Sequence, residues 1–317
     1  MPFPFTLNSG VSQLSDHPVS LSVERVSKKF DEFVAVDDLS LTARRGRIFG
    51  LIGPNGAGKT TTIRMIVGIT APDSGRIEMF GRPFTPELRE RIGYLPEERG
   101  LYKRMKVGEQ LRFFGVLKGM EPRAADRSAD CWLERLKLAE WKQHKTDELS
   151  KGMQQKVQFV ATVLHDPELL ILDEVFSGLD PVNAELLIGV LLELRARGKT
   201  IIFSTHMMEQ AEKLCDDICL INRARKVLDG SLREVKSSFG RNSVALRADV
   251  ADEKLKNSPH VAGVKSYGDY DEVLLKEGAD AQVFLHELIA AGVRVERFEQ
   301  TELSLHDIFV RKVGEAA

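Results

Sequence analysis

Gly53-Pro54-Asn55-Gly56-Ala57-Gly58-Lys59-Thr60-Thr61 decides the reading of this chain. An apolar run, Ile48-Phe49-Gly50-Leu51-Ile52, precedes it, and a helical pattern from Ile63 to Ile69 follows. Strand, glycine loop and helix in that order are the context of a phosphate-binding loop. The glycines let the backbone wrap closely around phosphate oxygens, in conformations a Cβ obstructs. Successive N–H groups then form an anion nest, to which the helix N-terminus adds partial positive charge. In such a loop Lys59 places an ammonium on the terminal phosphates, and the Thr60 hydroxyl is placed to ligate Mg²⁺.

A second stretch supplies carboxylates. Leu169-Leu170-Ile171-Leu172 is uninterrupted and apolar, as in a central strand covered on both faces, and it ends in Asp173-Glu174. Ligands of open α/β sheets bind at the carboxyl edge of the strands. There Asp173 suits Mg²⁺, through water, and Glu174 suits the orientation and deprotonation of an attacking water. Two surface acids closing a strand is the plainer alternative. Thr200-Ile201-Ile202-Phe203-Ser204 reads as another buried strand leading to Thr205-His206, so a histidine reaches the same edge. A lone histidine is as often structural.

Between these strands the pattern is helical. From Lys106 to Leu164 apolar residues recur at helical spacing among charges, as on amphipathic helices inserted into the sheet. Ser150 opens one of them. It reads as an N-cap, and the same geometry can hold a phosphate. Ser177-Gly178-Leu179-Asp180-Pro181 is a turn into a further helix, capped by Asp180, with Val182, Leu186, Val190 and Leu194 as its buried face. Phe30, between the strand-like patterns of Leu21–Val26 and Val34–Leu41, either stacks on a nucleotide base or caps a hydrophobic edge.

The chain's 317 residues predict one large domain and a smaller one. With 45 basic against 47 acidic residues, the net charge of -2 carries no electrostatic footprint for DNA or RNA. Cys131, Cys215 and Cys219 make neither a disulfide framework nor a metal cluster, which fits a reducing cytoplasm. No apolar run approaches the ~18 residues of a membrane span, and the start is not a signal peptide. Residues 1–19 read as a disordered leader. After a turn at Asp229-Gly230, Ser237-Ser238-Phe239-Gly240 reads as a linker to a small α+β region. That region has strands near Val244–Leu246, Val273–Leu275 and Val293–Val295 and a helix from Ala281 to Ala291. Its last helix opens on a capping box at Ser304-Leu305-His306-Asp307.

The order of these motifs resembles the ATP-binding subunit of an ABC transporter, over roughly residues 20–230. Gly53–Thr61 is similar to Walker A and Leu169–Glu174 to Walker B. Leu149-Ser150-Lys151-Gly152-Met153-Gln154-Gln155 resembles the family signature, Ser177–Asp180 the D-loop, His206 the switch histidine, and Phe30 the aromatic that stacks on adenine. Two departures stand out. Lys151 and Met153 replace the usual glycine and glutamine of the signature, and Glu97 stands where the family has the Q-loop glutamine. A carboxylate there can reach Mg²⁺ through water while adding negative charge. Tyr94–Tyr102 and Ser304–Phe309 are similar to a bacterial exporter branch that handles sodium, antibiotics or related compounds.

The resemblance implies a phosphate-loop NTPase core: a mostly parallel sheet with helices on both faces and an antiparallel β edge. It places the ATPase domain at 20–236, a helical subdomain at about 97–165 and an accessory domain at 237–317. It implies ATP and Mg²⁺ as cofactors, held by Phe30, Gly53, Pro54, Asn55, Gly56, Ala57, Gly58, Lys59, Thr60 and Thr61. Thr60, Asp173 and Glu97 are the metal set, and Glu174, His206 and Lys59 the catalytic set. Ser150, Gly152 and Asp180 complete the nucleotide-binding set, and the signature helix is implied to face the phosphate loop of a second ATPase subunit, in a homodimer. An integral membrane permease is the implied partner, with this chain cytoplasmic on the inner face of the membrane. A soluble relative acting on ribosomes or DNA is the rival, although one Walker A and no sustained heptad argue against it. An ATP-dependent assembly switch is a further alternative.

Overall fold

The computed structural model describes residues 18–98, 100–239, 243–276 and 278–315. Most of the expected leader, residues 1–17, lies outside the described residues, and Val19 already belongs to the first strand. The chain divides into two units, Met1–Gly230 and Ser231–Ala317.

In the first unit, β1 (Val19–Phe30) and β2 (Phe33–Arg44) pair antiparallel, and β3 (Ile48–Ile52) leads into α1 (Lys59–Ile66). β4 (Ser74–Met79), β5 (Arg82–Pro83) and β6 (Ile92–Leu95) follow. The helical insertion contains α2 (Val107–Leu117), α3 (Pro122–Arg135) and α4 (Lys151–Val163). The chain then alternates through β7 (Leu169–Asp173), α5 (Pro181–Ala196), β8 (Thr200–Thr205), α6 (Met208–Leu214), β9 (Asp217–Asn222) and β10 (Arg225–Ser231).

Two sheets result. The larger has the order β10-β9-β3-β8-β7-β6, and β3, β7 and β8 are buried along their whole length. Continuous apolar sequence in these strands follows from cover on both faces. Parallel register sets Ile52 beside Thr205 and Asp173 beside Ser204, so the chain leaves β3, β7 and β8 at one edge. The second sheet, β2-β1-β4-β5, is the antiparallel component. Leu21, Val23, Leu39 and Leu41 from it pack in one core with Phe49 of β3, Ile63 of α1 and Ile171 of β7. The insertion has its own apolar contacts, including Trp132 edge-on to Phe159 at 6.2 Å.

Several local expectations shift. α1 ends at Ile66 rather than Ile69, where Gly68 turns left-handed at φ 72° against the Phe84 ring. Asp229 and Gly230 lie inside β10, and the reversal before it falls at Arg223 and Ala224, with φ of 47° and 69°. Val182 is 75% exposed, and the buried face of α5 runs through Leu187, Val190, Leu191 and Leu194.

The second unit begins with α7 (Leu232–Ser238), capped by Ser231, so the expected linker residues Ser237 and Ser238 form the end of a helix. The unit border therefore precedes the expected one at 236. It continues through β11 (Ser243–Ala248), α8 (Asp252–Lys256), β12 (Val261–Ser266), β13 (Asp271–Leu275), α9 (Ala281–Ala290), β14 (Val295–Thr301) and α10 (Leu305–Glu315). Its sheet, in the order β12-β13-β11-β14, is antiparallel and packs Val244, Leu246 and Val273 against Phe284 and Leu288 of α9. Ser304 Oγ accepts the Asp307 amide at 3.1 Å and donates to its carboxylate, which caps α10 as read from sequence.

Candidate nucleotide site

The loop between β3 and α1 is shaped by what glycine permits. Gly58 sits left-handed at φ 107°, where a Cβ would stand 2.4 Å from the Ala35 carbonyl oxygen. At Gly53 a Cβ would meet the Ile221 carbonyl oxygen at 2.2 Å. Neighbouring strands thus press directly on the loop backbone, and no side chain fits at either position. No side chain caps α1, which leaves its first amides without a side-chain acceptor, the arrangement of a helix start that suits an anion. Lys59 is 6% exposed, and its ammonium donates to the carbonyls of Gly53 at 2.8 Å and Pro54 at 3.2 Å.

The end of β7 faces this loop. Asp173 is fully buried, and burial foremost, with the Glu174 charge, raises its pKa against the opposing influence of the Ser204 hydrogen bond and the nearby Thr60 hydroxyl. Its Oδ2 has no hydrogen-bond partner among the described residues. Glu174 adopts φ 48°, unusual for a side chain-bearing residue. Its Oε2 is 3.0 Å from His206 Nδ1, and its Oε1 lies 3.5 Å from the Lys59 ammonium as an ion pair without a hydrogen bond. Ser204, one strand over, accepts the Glu174 amide at 3.1 Å and donates to Asp173 Oδ1. It thereby fixes both acids.

Lys59 and Glu174 line a cavity of about 370 Å³ together with Asn55, Gly56, Thr60 and Glu97, while Asp173 and His206 are not in that lining. Gly58 and Thr61 also line it, while Ala57 is buried beneath the loop. The aromatic in its wall is Phe33, not Phe30. Phe30 is the cross-strand neighbour of Phe33 in the β1–β2 hairpin and lies 5.5 Å from the Lys28 ammonium.

Ser150, Gly152 and Asp180 are not in that lining. Ser150 is exposed and caps α4, its Oγ accepting the Met153 amide at 3.3 Å. Gly152 stands against the D-loop, where a Cβ would touch the Gly178 carbonyl oxygen at 3.5 Å. Asp180 caps α5 through the Asn183 amide at 3.0 Å, and those hydrogen bonds hold its carboxyl below the usual range. Sequence reasoning passed over Ser204 and Phe33. A hydroxyl inside an otherwise apolar, fully buried strand was the available signal for Ser204.

The ABC transporter family profile matches residues 36–177, and that of the ATP-binding protein DrrA1-3-like, C-terminal domain, matches 230–313. The chain is 44% identical over 294 residues to an uncharacterized ABC transporter ATP-binding protein, YhaQ, of Bacillus subtilis (strain 168), covering 93% of this chain and 98% of that protein. It is 34% identical over 300 residues to the Nod factor export ATP-binding protein I of Cupriavidus pinatubonensis, covering 93% and 90%. Among solved structures, an ATP-binding subunit of an ABC transporter aligns with a TM-score of 0.65 at 33% identity, over 69% of this chain and 93% of that one. The cbiO1 protein of Clostridium perfringens, part of the ABC transporter complex cbiONQ, aligns with a TM-score of 0.62 at 28% identity, over 69% and 90%. Phosphate loop, acid edge and signature helix thus occur together in a chain that belongs to the ATP-binding, ATP-hydrolysing subunits of ABC transporters.

Proposed function

We propose that two copies of this chain close around two ATP molecules and drive export through a separate membrane protein. The observation that carries this reading is the placement of Ser150, Gly152 and Asp180, which lie outside the lining of their own chain's cavity. The cap of α4 is exposed. A second copy could present that helix start, with its partial positive charge, to the γ-phosphate. ATP then acts as the adhesive of the dimer, and its hydrolysis releases the two halves.

Within each site Lys59 clamps the β- and γ-phosphates, exchanging the loop carbonyls for phosphate oxygens. Glu174 accepts the proton of the attacking water, and His206 holds that carboxylate while reaching the γ-phosphate. Thr60 and Asp173 suit Mg²⁺, since a buried Asp173 Oδ2 without a partner among the described residues is a ligand in waiting. Glu97 could add a contact through water. When bound, the ion would neutralise charge on the phosphates. Phosphoryl transfer asks mainly for such positioning and charge stabilisation.

The membrane pathway is assigned to a partner because no helix among the described residues is long and apolar enough to cross a membrane. The relative named for Nod factor export supports the outward direction, and cbiO1 supports assembly with other components. The reading places the chain on the inner face of the membrane, without nucleic acid as a partner. Three measurements test it. Purified protein should hydrolyse ATP, and Lys59→Ala should abolish tight ATP binding. Affinity capture from detergent-solubilised membranes should retain a polytopic membrane protein. Absence of turnover, or repeated capture without such a partner, contradicts it.

A further inference from the structure

Helix α4 carries two glutamines, Gln155 and Gln158, one turn apart and therefore on neighbouring positions of one face. Both are buried, at 3% and 5% exposure. The Gln158 amide nitrogen donates to the carbonyls of Pro96 and Glu98, each at 3.1 Å. Those are the residues on either side of Glu97, whose side chain lines the nucleotide cavity. The Gln155 amide donates to the Val175 carbonyl at 3.1 Å, directly after Glu174. One helix, with the signature serine at its start, is therefore fastened to the backbone on both sides of Glu97 and to the backbone following Glu174.

The choice of glutamine at 158 is informative. A primary amide has two N–H donors, which match two carbonyls. Its Oε1, however, is buried and has no hydrogen-bond partner among the described residues. A buried acceptor left unpaired offsets much of what the two donated bonds contribute to stability. Packing alone would be served as well by leucine of similar shape. What leucine cannot do is hold the 96–98 backbone to α4.

We propose that Gln158 is a positioning residue for ATP hydrolysis, tying the Glu97 loop to the signature helix so that engagement of Ser150 sets the Glu97 carboxylate at the nucleotide. This rests on the composite ATP site proposed above. Ser150 caps the start of α4, and the Gln158 clasp links that helix to the backbone on both sides of Glu97. A displacement of the helix start then moves the loop with it, because a packed helix is displaced as a body.

The test is a double-mutant cycle in the full-length chain, with kcat, KM for ATP and thermal midpoint measured for Gln158→Leu, Glu97→Ala and the pair. Gln158→Leu removes the donors and the unpaired acceptor together. It is expected to lower kcat by about 10- to 100-fold, the cost of a misplaced group near the reacting atoms, with the thermal midpoint and KM nearly unchanged. In the Glu97→Ala background it is expected to lower kcat no further. Unchanged kcat, losses that multiply in the pair, or a Glu97→Ala variant with full kcat would each overturn the proposal. Gln158→Met repeats the experiment with a different packing, and failure of both variants to fold assigns Gln158 a structural role instead. A wild-type protein without ATPase activity would sink the composite site itself. An active wild type with a fully active Gln158→Leu sinks this inference alone.

Discussion

The Ser204 hydroxyl donates to the Asp173 carboxylate, and the same oxygen accepts the amide of Glu174 at 3.1 Å. One buried side chain on β8 thus bonds both acids at the end of β7. Ser204→Ala is expected to cost about 1–3 kcal/mol of stability, because a buried carboxylate oxygen and an amide lose their partner. It also carries a pH signature. The hydrogen bond from Ser204 lowers the Asp173 pKa, which burial raises, so its removal lets that pKa rise further. Asp173 then stays protonated to higher pH, and the acid limb of the ATPase pH profile should move upward. A profile that keeps its position would separate Ser204 from Asp173 function.

Phe33 lines the nucleotide cavity and Phe30 does not. Stacking of a base on an aromatic ring contributes about 1–3 kcal/mol. Phe33→Ala is therefore expected to weaken ATP binding by about tenfold. Phe30→Ala should have a smaller effect. Equilibrium titration of both variants with a fluorescent ATP analogue checks the order. The reverse order would restore Phe30 as the stacking residue.

How much of this was legible in sequence depended on whether a residue's role is local. The phosphate loop and the acid edge were readable because β3, β7 and β8 are covered on both faces, which writes them as unbroken apolar runs with the polar groups at their ends. The caps at Ser150, Asp180 and Ser304 were readable because capping reaches only two or three residues. Phe30 and Phe33 were not separable, since they lie on opposite sides of a hairpin turn and only the turn decides which one faces the cavity. Ser204 requires the β7–β8 register, and Gln158 requires the placement of a loop some sixty residues away in sequence. Val182 follows the helical period of α5 and is exposed all the same, because the first turn of α5 extends past the core.

His165 offers a stability prediction. It follows α4, its Nε2 lies 3.2 Å from the Ile92 carbonyl oxygen, and burial foremost, with the Lys118 charge, pushes its pKa from 6.5 to about 4. The folded protein keeps it neutral while the unfolded chain takes up a proton, so stability is full above pH 6.5 and falls as pH drops toward 4. The loss across that window is about 3 kcal/mol from this residue. Denaturant unfolding of wild type and His165→Gln at a series of pH values should show a shallower acid slope in the variant. Equal slopes would mean that His165 titrates alike in both states.

Glu174 tests the central claim most directly, since in the proposed composite site it acts on water while Ser150 comes from a second copy. Glu174→Gln keeps the shape and the contact with His206 while removing the base. Turnover should fall by about 10²- to 10⁴-fold with ATP binding retained. Size-exclusion chromatography with light scattering is the measurement: Glu174→Gln is expected to be monomeric without nucleotide and dimeric with MgATP. A variant that stays monomeric with saturating MgATP, or that turns ATP over at the wild-type rate, would contradict the composite site.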